Sequence, residues 1–466
     1  MNRKAPNILL ITIDALRFDH LGCYGYGKDT SPNIDRLASK GTVFLEAISN
    51  GGNTPSAFPS LLASALPPLD EREWRTMMQR HTTLAELLQR AGYRTAAFHS
   101  NPYLTSIFSY NKGFHVFKDD LERGKVWTIR ERITTRILSS WPKGSFLNFL
   151  TKLYKGLFGL FFTVRGRTIV TAEQISDLSL RWLKSHNDTF FLWIHYMDVH
   201  IPYMPPPQYV RQLAGGRISR YKMARLYEKM LATPPQLSAS EVEKLKSLYD
   251  ANIRYVDDAI GWLLGKASRQ LENTIVIITA DHGDEFGEHG KLSHQTAYDG
   301  IIHVPLIMTG PNVEAGQLVK DQVSLIDLPP TLADLVGLGE VDTFHGESLL
   351  PLIKGERKAV RGVISASPFP GKQPRFLVYR TPGWKYIRTE SADIEGTVLK
   401  EELYDLSNDP GETRNLHDTD MEAAKRFELD AKTKLQKFKE TKVREMNVYE
   451  KQRIKARVKK LGKSQS

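Results

Sequence analysis

Two apolar runs in this chain end in acids. Residues 7–13, Asn-Ile-Leu-Leu-Ile-Thr-Ile, run into Asp14, and residues 274–280 run into Asp281-His282-Gly283-Asp284. A buried-type strand fixes its backbone, so the residue at its end is delivered to a defined place on the sheet edge. Two carboxylates and an imidazole are the oxygen and nitrogen donors that divalent cations take. Asp14, Asp281 and His282 are therefore read as ligands of one divalent ion. Oxygen-rich ligation suits calcium, magnesium or manganese, the imidazole opens the set to zinc, and calcium or manganese is favoured. Taken alone, Asp281-His282 also fits a cap and turn at a strand end.

The elements that must position these residues follow from the pattern. Strand-like runs at 8–14, 94–99, 190–195, 274–280 and 304–308 alternate with helical segments at 32–40, 84–91, 171–185 and 238–271. Apolar strands separated by amphipathic helices predict an α/β fold, with a mostly parallel central sheet covered by helices on both faces. Ligands of such sheets bind beyond the carboxyl ends of the strands, where Asp14 and Asp281 fall. After about Gly362, short segments at 363–366, 376–379, 385–388 and 402–405 lie between turns and predict a small antiparallel α+β subdomain. The expected division is a main domain at 1–360, the subdomain at 361–420 and a basic helical tail at 421–466.

Composition narrows the class. The 466 residues are 41% hydrophobic and 25% charged, as in a soluble globular protein. No run reaches the ~20 apolar residues that cross a bilayer. The first apolar run stops at Asp14 without a small-residue cleavage site, so a cytoplasmic protein is expected. Cys23 is the single cysteine, which excludes a disulfide framework and a cysteine zinc cluster. Of the net charge of +11, residues 432–466 carry 13 Lys/Arg against 3 Glu. The body is nearly neutral, and the tail reads as a solvated basic end. It lacks the aromatic interleaving of a nucleic-acid binder, so no specific nucleic acid is expected. Residues 145–164 interleave Phe and Leu with Lys152 and Lys155. This part of the 119–170 insert reads as a helix packed on the body. A lid or interfacial helix in peripheral contact with a membrane is the alternative.

Asp14-Ala15-Leu16-Arg17-Phe18-Asp19-His20-Leu21-Gly22-Cys23-Tyr24-Gly25, followed by Ser31-Pro32-Asn33-Ile34-Asp35-Arg36, resembles the opening of sulfatases of the alkaline-phosphatase superfamily. Thr279-Ala280-Asp281-His282-Gly283, with Gly287-Glu288-His289-Gly290-Lys291 after it, resembles a second motif of that family. Residues 402–416, containing Asp409-Pro410-Gly411-Glu412, resemble its C-terminal motif. The resemblance implies the same fold and one metal held by Asp14, Asp281 and His282, with the nucleophile completing the shell. Ala15 stands where many sulfatases carry a second acid, and His282, in place of Asn, resembles the phosphonate-monoesterase branch.

The family converts a Cys or Ser, followed by x-Pro-Ser-Arg, to formylglycine. Here Asn53-Thr54-Pro55-Ser56-Ala57-Phe58-Pro59-Ser60-Leu61-Leu62 occupies that stretch, so no formylglycine is expected. Counting back from Leu61-Leu62 places Thr54 on the nucleophile of the resembled motif, with Ser56 as its rival. Threonine serves as nucleophile in relatives such as phosphoethanolamine transferases and lipoteichoic-acid synthases. A hydroxyl becomes nucleophilic when a metal or base lowers its pKa, and a helix start adds N–H groups for an anion. Thr54 is also a natural N-cap with Pro55 behind it. The resemblance further implies His200 near the ester oxygen as proton donor, and Lys291 and His294 on the anion. Arg17 is a candidate to orient the nucleophile loop and Asn101 a candidate substrate contact.

The expected function is metal-dependent hydrolysis of sulfate, phosphate or phosphonate esters through a covalent intermediate on Thr54. The substrate is an anionic ester, with a sulfated or phosphorylated glycan or lipid as its class. A phosphoryl-headgroup transferase of the same fold and a non-catalytic binding protein on this scaffold are the alternatives.

Overall fold

The computed structural model describes residues 5–119, 170–232, 235–294, 296–356, 361–367, 374–391, 397–419 and 421–463. The Phe- and Leu-rich stretch at 145–164 lies outside the described residues. Eight strands form the main sheet in the order β4-β3-β5-β1-β6-β7-β2-β8. At its centre, β1 (Asn7–Ile13) pairs in parallel with β5 (Phe190–Tyr196) and β6 (Thr274–Ala280). Beyond β5 lie β3 (Arg94–Phe98) and β4 (Val116–Lys118), also parallel. On the other side β7 (His303–Thr309) runs antiparallel to β6 and to β2 (Thr42–Ile48), and β8 (Gln317–Ser324) closes the edge parallel to β2.

Every residue of β5 and β6 is buried. Side chains alternate between faces, so both faces of the sheet are covered. One helix group joins Pro32–Ala38, Ala172–Lys184 and Ala239–Lys266, and a second joins Thr54–Ala63, Glu71–Arg80, Leu84–Arg90 and Leu328–Leu335. Among the described residues no helix is long and apolar enough to cross a membrane.

A second, antiparallel sheet carries β9 (Val363–Ser367), β10 (Arg375–Arg380), β11 (Trp384–Glu390) and β12 (Val398–Asp405) in the order β12-β11-β10-β9. It is joined to the main body by hydrogen bonds rather than a free linker. Ala366 N–H donates to the Asn50 carbonyl at 2.9 Å, Gly52 N–H to Ser367 Oγ at 2.6 Å, and Asn50 Nδ2 to the Ile364 carbonyl at 2.9 Å. Below them lies a buried ionic seam. Arg380 bridges Asp299 at 2.7 Å and Glu46 at 2.8 Å, and wholly buried Lys385 bridges Asp299 at 2.9 Å and Glu412 at 2.7 Å.

The C-terminal helix, Glu422–Lys463, packs residues 424–442 on the body, so the reading of a solvated basic segment does not hold for that part. Ala424, Ala431, Leu435 and Phe438 form one stripe buried against Leu377, Tyr379, Tyr386 and Leu403 of the second sheet. Buried Lys442 is held by Glu73 at 2.7 Å and donates to the Leu66 carbonyl. Apolar residues spaced at helical period outweigh the charge between them.

Two predictions follow from these contacts. Arg380→Ala removes the cation that largely buried Asp299 shares with part-exposed Glu46, leaves Asp299 with Lys385 alone, and should cost about 3 kcal/mol in urea unfolding. Loss below ~1 kcal/mol would mean that the seam is solvated. His99 is fully buried against Phe117 and Trp193, and neither ring nitrogen has a partner among the described residues. Burial, helped by His195, pushes its pKa down from 6.5 to about 3. Between those values the unfolded chain binds the extra proton, so stability falls as pH drops through the window, by up to about 1.4 kcal/mol per unit. His99→Phe should flatten that slope between pH 6.5 and 4.5, and parallel slopes for both proteins would refute this reading.

Candidate functional site

Ile13 of β1 sits opposite Ala280 of β6, so the next residues, Asp14 and Asp281, leave the sheet side by side. Both are wholly buried. The chain then turns at Ala15 with φ of 58°, a left-handed conformation that costs a non-glycine residue about 1 kcal/mol. Tyr249 holds this turn, donating to the Ala15 carbonyl at 2.7 Å and accepting the Arg17 N–H at 2.8 Å. His282 Nδ1 lies 2.8 Å from the Gly283 carbonyl. A carbonyl only accepts, so Nδ1 carries the proton and Nε2 the lone pair.

Asp14 Oδ1, Asp281 Oδ2 and His282 Nε2 are buried without a hydrogen-bond partner among the described residues. His282 Nε2 lies 3.6 Å from each oxygen, and ligand atoms of the three residues fall within 4.8 Å of one another. Three convergent unpartnered donors, two of them anionic, fit one divalent cation. The remaining oxygens are occupied. Asp14 Oδ2 accepts from Asn101 Nδ2 at 2.9 Å, His195 Nε2 at 3.2 Å and Thr54 Oγ1 at 3.4 Å. Asp281 Oδ1 faces the Ala15 N–H at 3.4 Å.

The electrostatics split the two acids. Burial favours protonation of Asp14, but His200, the His195 hydrogen bond and His282 outweigh it and hold Asp14 well below the usual carboxylate range. Burial and the neighbouring Asp14 charge push Asp281 up.

Thr54 begins the helix Thr54–Ala63, but Asn53 is its cap rather than Thr54. Asn53 Oδ1 accepts the Ser56 N–H at 3.0 Å and the Ser56 hydroxyl at 2.5 Å. Because Asn53 takes the capping position, the Thr54 hydroxyl is left to face Asp14, while the Ser56 hydroxyl is spent on the cap. Gly51 and Gly52 precede them where a Cβ would fall 2.3 Å from the Ser56 side chain and 2.8 Å from Ser367 Oγ, so the loop must be bare there.

Around this centre the structure gathers Asn101, His200 and His294. Asn101 stands 3.5 Å from Thr54 Oγ1. His294 lies 4.6 Å from the His282 ring and 5.1 Å from that of His200. Lys291 is exposed on the following turn, and no hydrogen bond or ion pair among the described residues ties it to the carboxylates. Arg17 differs from the expected loop-orienting role. Its guanidinium grips Asp19 at 2.8 Å and Glu288 at 2.8 Å and donates to the Asp284 carbonyl, so it braces the 284–288 segment. Cys23 takes no part: burial and nearby Asp35 push its thiol up.

Three buried residues here carry no role in the sequence reading. His195 contacts Asp14. Asp284 binds His294 Nδ1 through Oδ1 at 3.0 Å and accepts the Tyr203 hydroxyl on Oδ2 at 2.6 Å. Burial raises the Asp284 pKa, but the His294 hydrogen bond and charge, His200 and Tyr203 bring it below the usual value. The available signal was polarity inside otherwise apolar segments, since a buried polar group must have a partner.

Residues 6–338 match the Sulfatase family model, and residues 287–441 match the model for the C-terminal region of N-sulphoglucosamine sulphohydrolase. Arylsulfatase K of Homo sapiens is 27% identical over 455 residues, covering 89% of this chain and 79% of that protein. The phosphonate monoester hydrolase of Agrobacterium radiobacter superposes with a TM-score of 0.67 at 20% identity, over 92% of this chain and 94% of that one. A protein solved with its substrate D-glucosamine-2-N,6-O-disulfate superposes with a TM-score of 0.67 at 19% identity, over 95% and 99%. With the sulfatase model spanning well over half of its length, the chain belongs to the sulfatase family of the alkaline-phosphatase superfamily and is a hydrolase of sulfuric or closely related esters.

Proposed function

We propose that this enzyme cleaves an anionic ester by attack of the Thr54 hydroxyl, with a divalent cation held by Asp14, Asp281 and His282. The observation that carries the reading is the Thr54 Oγ1, 3.4 Å from Asp14 Oδ2 beside three unpartnered donor atoms. When bound, the cation would lower the pKa of the hydroxyl and neutralise charge on the non-bridging oxygens. Thr54 Oγ1 gives its proton to Asp14 Oδ2, the acceptor it faces, as it forms a bond to the central phosphorus or sulfur and the bond from that atom to the alcohol oxygen breaks. His294, its Nδ1 proton directed at Asp284, gives its Nε2 proton to the departing alcohol. His200 spends its Nδ1 proton on the Ile201 carbonyl at 2.7 Å, which leaves Nε2 as an acceptor. Water attacking the Thr54 ester passes its proton to that nitrogen, the proton held by Asp14 returns to the departing Thr54 oxygen, and exchange with solvent resets the two imidazoles.

A threonine ester, unlike a formylglycine hydrate, has no second hydroxyl through which to eliminate the anion. It must be released by attack at phosphorus or sulfur, which favours phosphate or phosphonate esters alongside sulfate. A sulfated sugar is the substrate class suggested by the neighbour solved with D-glucosamine-2-N,6-O-disulfate.

The test is a side-by-side assay on aryl sulfate, phosphate monoester, phosphate diester and phosphonate monoester. Thr54→Ala should lower kcat by at least about 10³-fold on the best of them, Thr54→Ser should retain part of the rate, and Ser56→Ala should stay within about tenfold. Activity lost in Ser56→Ala but kept in Thr54→Ala would transfer the nucleophile to Ser56. Dialysis against a chelator should remove turnover and added Mn²⁺ restore it, whereas full activity after chelation would exclude the cation. Asp284→Asn should slow esters of poorly acidic alkyl alcohols about 10²-fold while sparing 4-nitrophenyl esters, whose leaving group needs no proton. Equal losses on both would remove His294 from the acid role.

A further inference from the structure

Asp14 needs its Oδ1 aimed at the cation site while Oδ2 stays turned away, and a short ladder on the sheet provides for this. Thr12 of β1 is registered against His195 of β5. Side chains two apart along an extended chain share a face, so Thr12 of β1 and Asp14 just past its end line up beside Trp193 and His195 of β5. All four are wholly buried. The contacts run across the two strands in sequence: Trp193 Nε1 to Thr12 Oγ1 at 3.0 Å, Thr12 Oγ1 to His195 Nδ1 at 2.9 Å, and His195 Nε2 to Asp14 Oδ2 at 3.2 Å.

We propose that His195, set by Thr12 and Trp193, is the positioning residue that fixes the Asp14 carboxylate for cation binding. The direction of each bond follows from chemistry. An indole nitrogen only donates and a carboxylate only accepts. Trp193 therefore gives its N–H to Thr12, Thr12 gives its O–H to His195 Nδ1, and His195 gives its Nε2–H to Asp14. The Thr12 hydroxyl has one other acceptor, the Ile194 carbonyl at 3.2 Å, which is longer than the 2.9 Å to the imidazole. Threonine selects the tautomer, and the tautomer places a donor where Asp14 Oδ2 must sit. Asn101 supplies a second donor to the same oxygen, so two N–H groups pin one oxygen and leave Oδ1 unpartnered. The imidazole is itself held in place edge-on to the Phe58 ring, with centroids 5.1 Å apart. Partners that orient a ligand in this way typically change metal affinity by about 10–100-fold.

The inference rests on the proposed cation site but not on the ester, so its test needs no substrate. Mn²⁺ dissociation constants would be measured by chelator competition on the full chain, with thermal melting in EDTA as the control for folding. His195→Phe keeps an aromatic ring of similar shape and deletes both nitrogens. Mn²⁺ affinity should fall at least about tenfold, with melting in EDTA within a few degrees of the parent. His195→Gln retains an N–H that can reach Asp14 and should recover most of the loss. Thr12→Val keeps the shape of Thr12 without its hydroxyl, should weaken Mn²⁺ about threefold or more, and decides the question if His195→Phe does not fold. Parental affinity in both His195→Phe and Thr12→Val would overturn the proposal. So would His195→Gln as weak as His195→Phe, since packing and not the N–H would then matter. A protein that binds no Mn²⁺ at all would instead sink the cation site beneath it.

Discussion

Two carboxylates buried side by side are the constraint around which this site is built. Parallel pairing of β1 and β6 in register leaves Asp14 and Asp281 no choice but to emerge together, with neither exposed to water. Like charges about 4 Å apart repel by about 4 kcal/mol even at an effective dielectric of 20. The opposite directions of their pKa shifts express that repulsion: His195, His200 and His282 stabilise one anion, and the second must bear its field. The surrounding groups answer with N–H donors on one oxygen of Asp14 and a facing N–H on one of Asp281. The other oxygen of each is left without a partner, beside the unpartnered Nε2 of His282.

The same constraint explains why the small C-terminal sheet is not a separate appendage. The hydroxyl of Thr54 has to stand within reach of Asp14, and the loop before it contains Gly51 and Gly52, whose backbones are the least restrained of any residue. Strand β9 supplies the missing restraint through its contacts with Asn50 and Gly52. A cut at residue 361, where the change of texture suggests a boundary, would sever those bonds. The ionic seam of Arg380 and Lys385 with Asp299, Glu46 and Glu412 fits the same role. Buried pairs contribute little net stability over apolar packing, but they penalise any other docking register.

What could be read directly from the chain was what burial imposes on strand composition. The central strands are continuous apolar runs because both faces are covered, so β1, β5 and β6, and with them Asp14, Asp281 and His282, stood out. β2 and β8 did not, since Glu46, Lys320 and Asp321 interrupt strands nearer the sheet edge, and no local pattern announces that β7 reverses direction. The helix at Thr54 was legible only as a start, at Thr54-Pro55, because Pro59 and the serines Ser56 and Ser60 lower helical propensity until tertiary packing overrides it. Arg17 illustrates the opposite failure. Its closeness to Asp14 in sequence suggested the nucleophile loop, yet the left-handed turn at Ala15 redirects the chain, and the guanidinium meets Asp19 and Glu288 instead. Pairings such as Thr12 with His195, or Asp284 with His294, join distant segments and become visible only when the sheet register and the loop above it are known.

On the proposed route, Ala15 in place of the family's second acid and Thr54 as nucleophile belong together physically. A site with one carboxylate fewer is less negative and holds a divalent cation less strongly, so the orientation of the remaining acids carries more of the binding. That places weight on the donors that pin Asp14. A threonine, in turn, stays bonded to the protein after attack and cannot expel the anion by elimination. On the proposed route, release then needs a proton acceptor for water as well as a proton donor for the alcohol. The two imidazoles above the site differ in the partner of Nδ1. That of His294 lies 3.0 Å from the Asp284 carboxylate, and that of His200 lies 2.7 Å from the Ile201 carbonyl. On the proposed route the first gives a proton to the alcohol and the second takes one from water, the pair of roles that hydrolysis through a threonine ester demands.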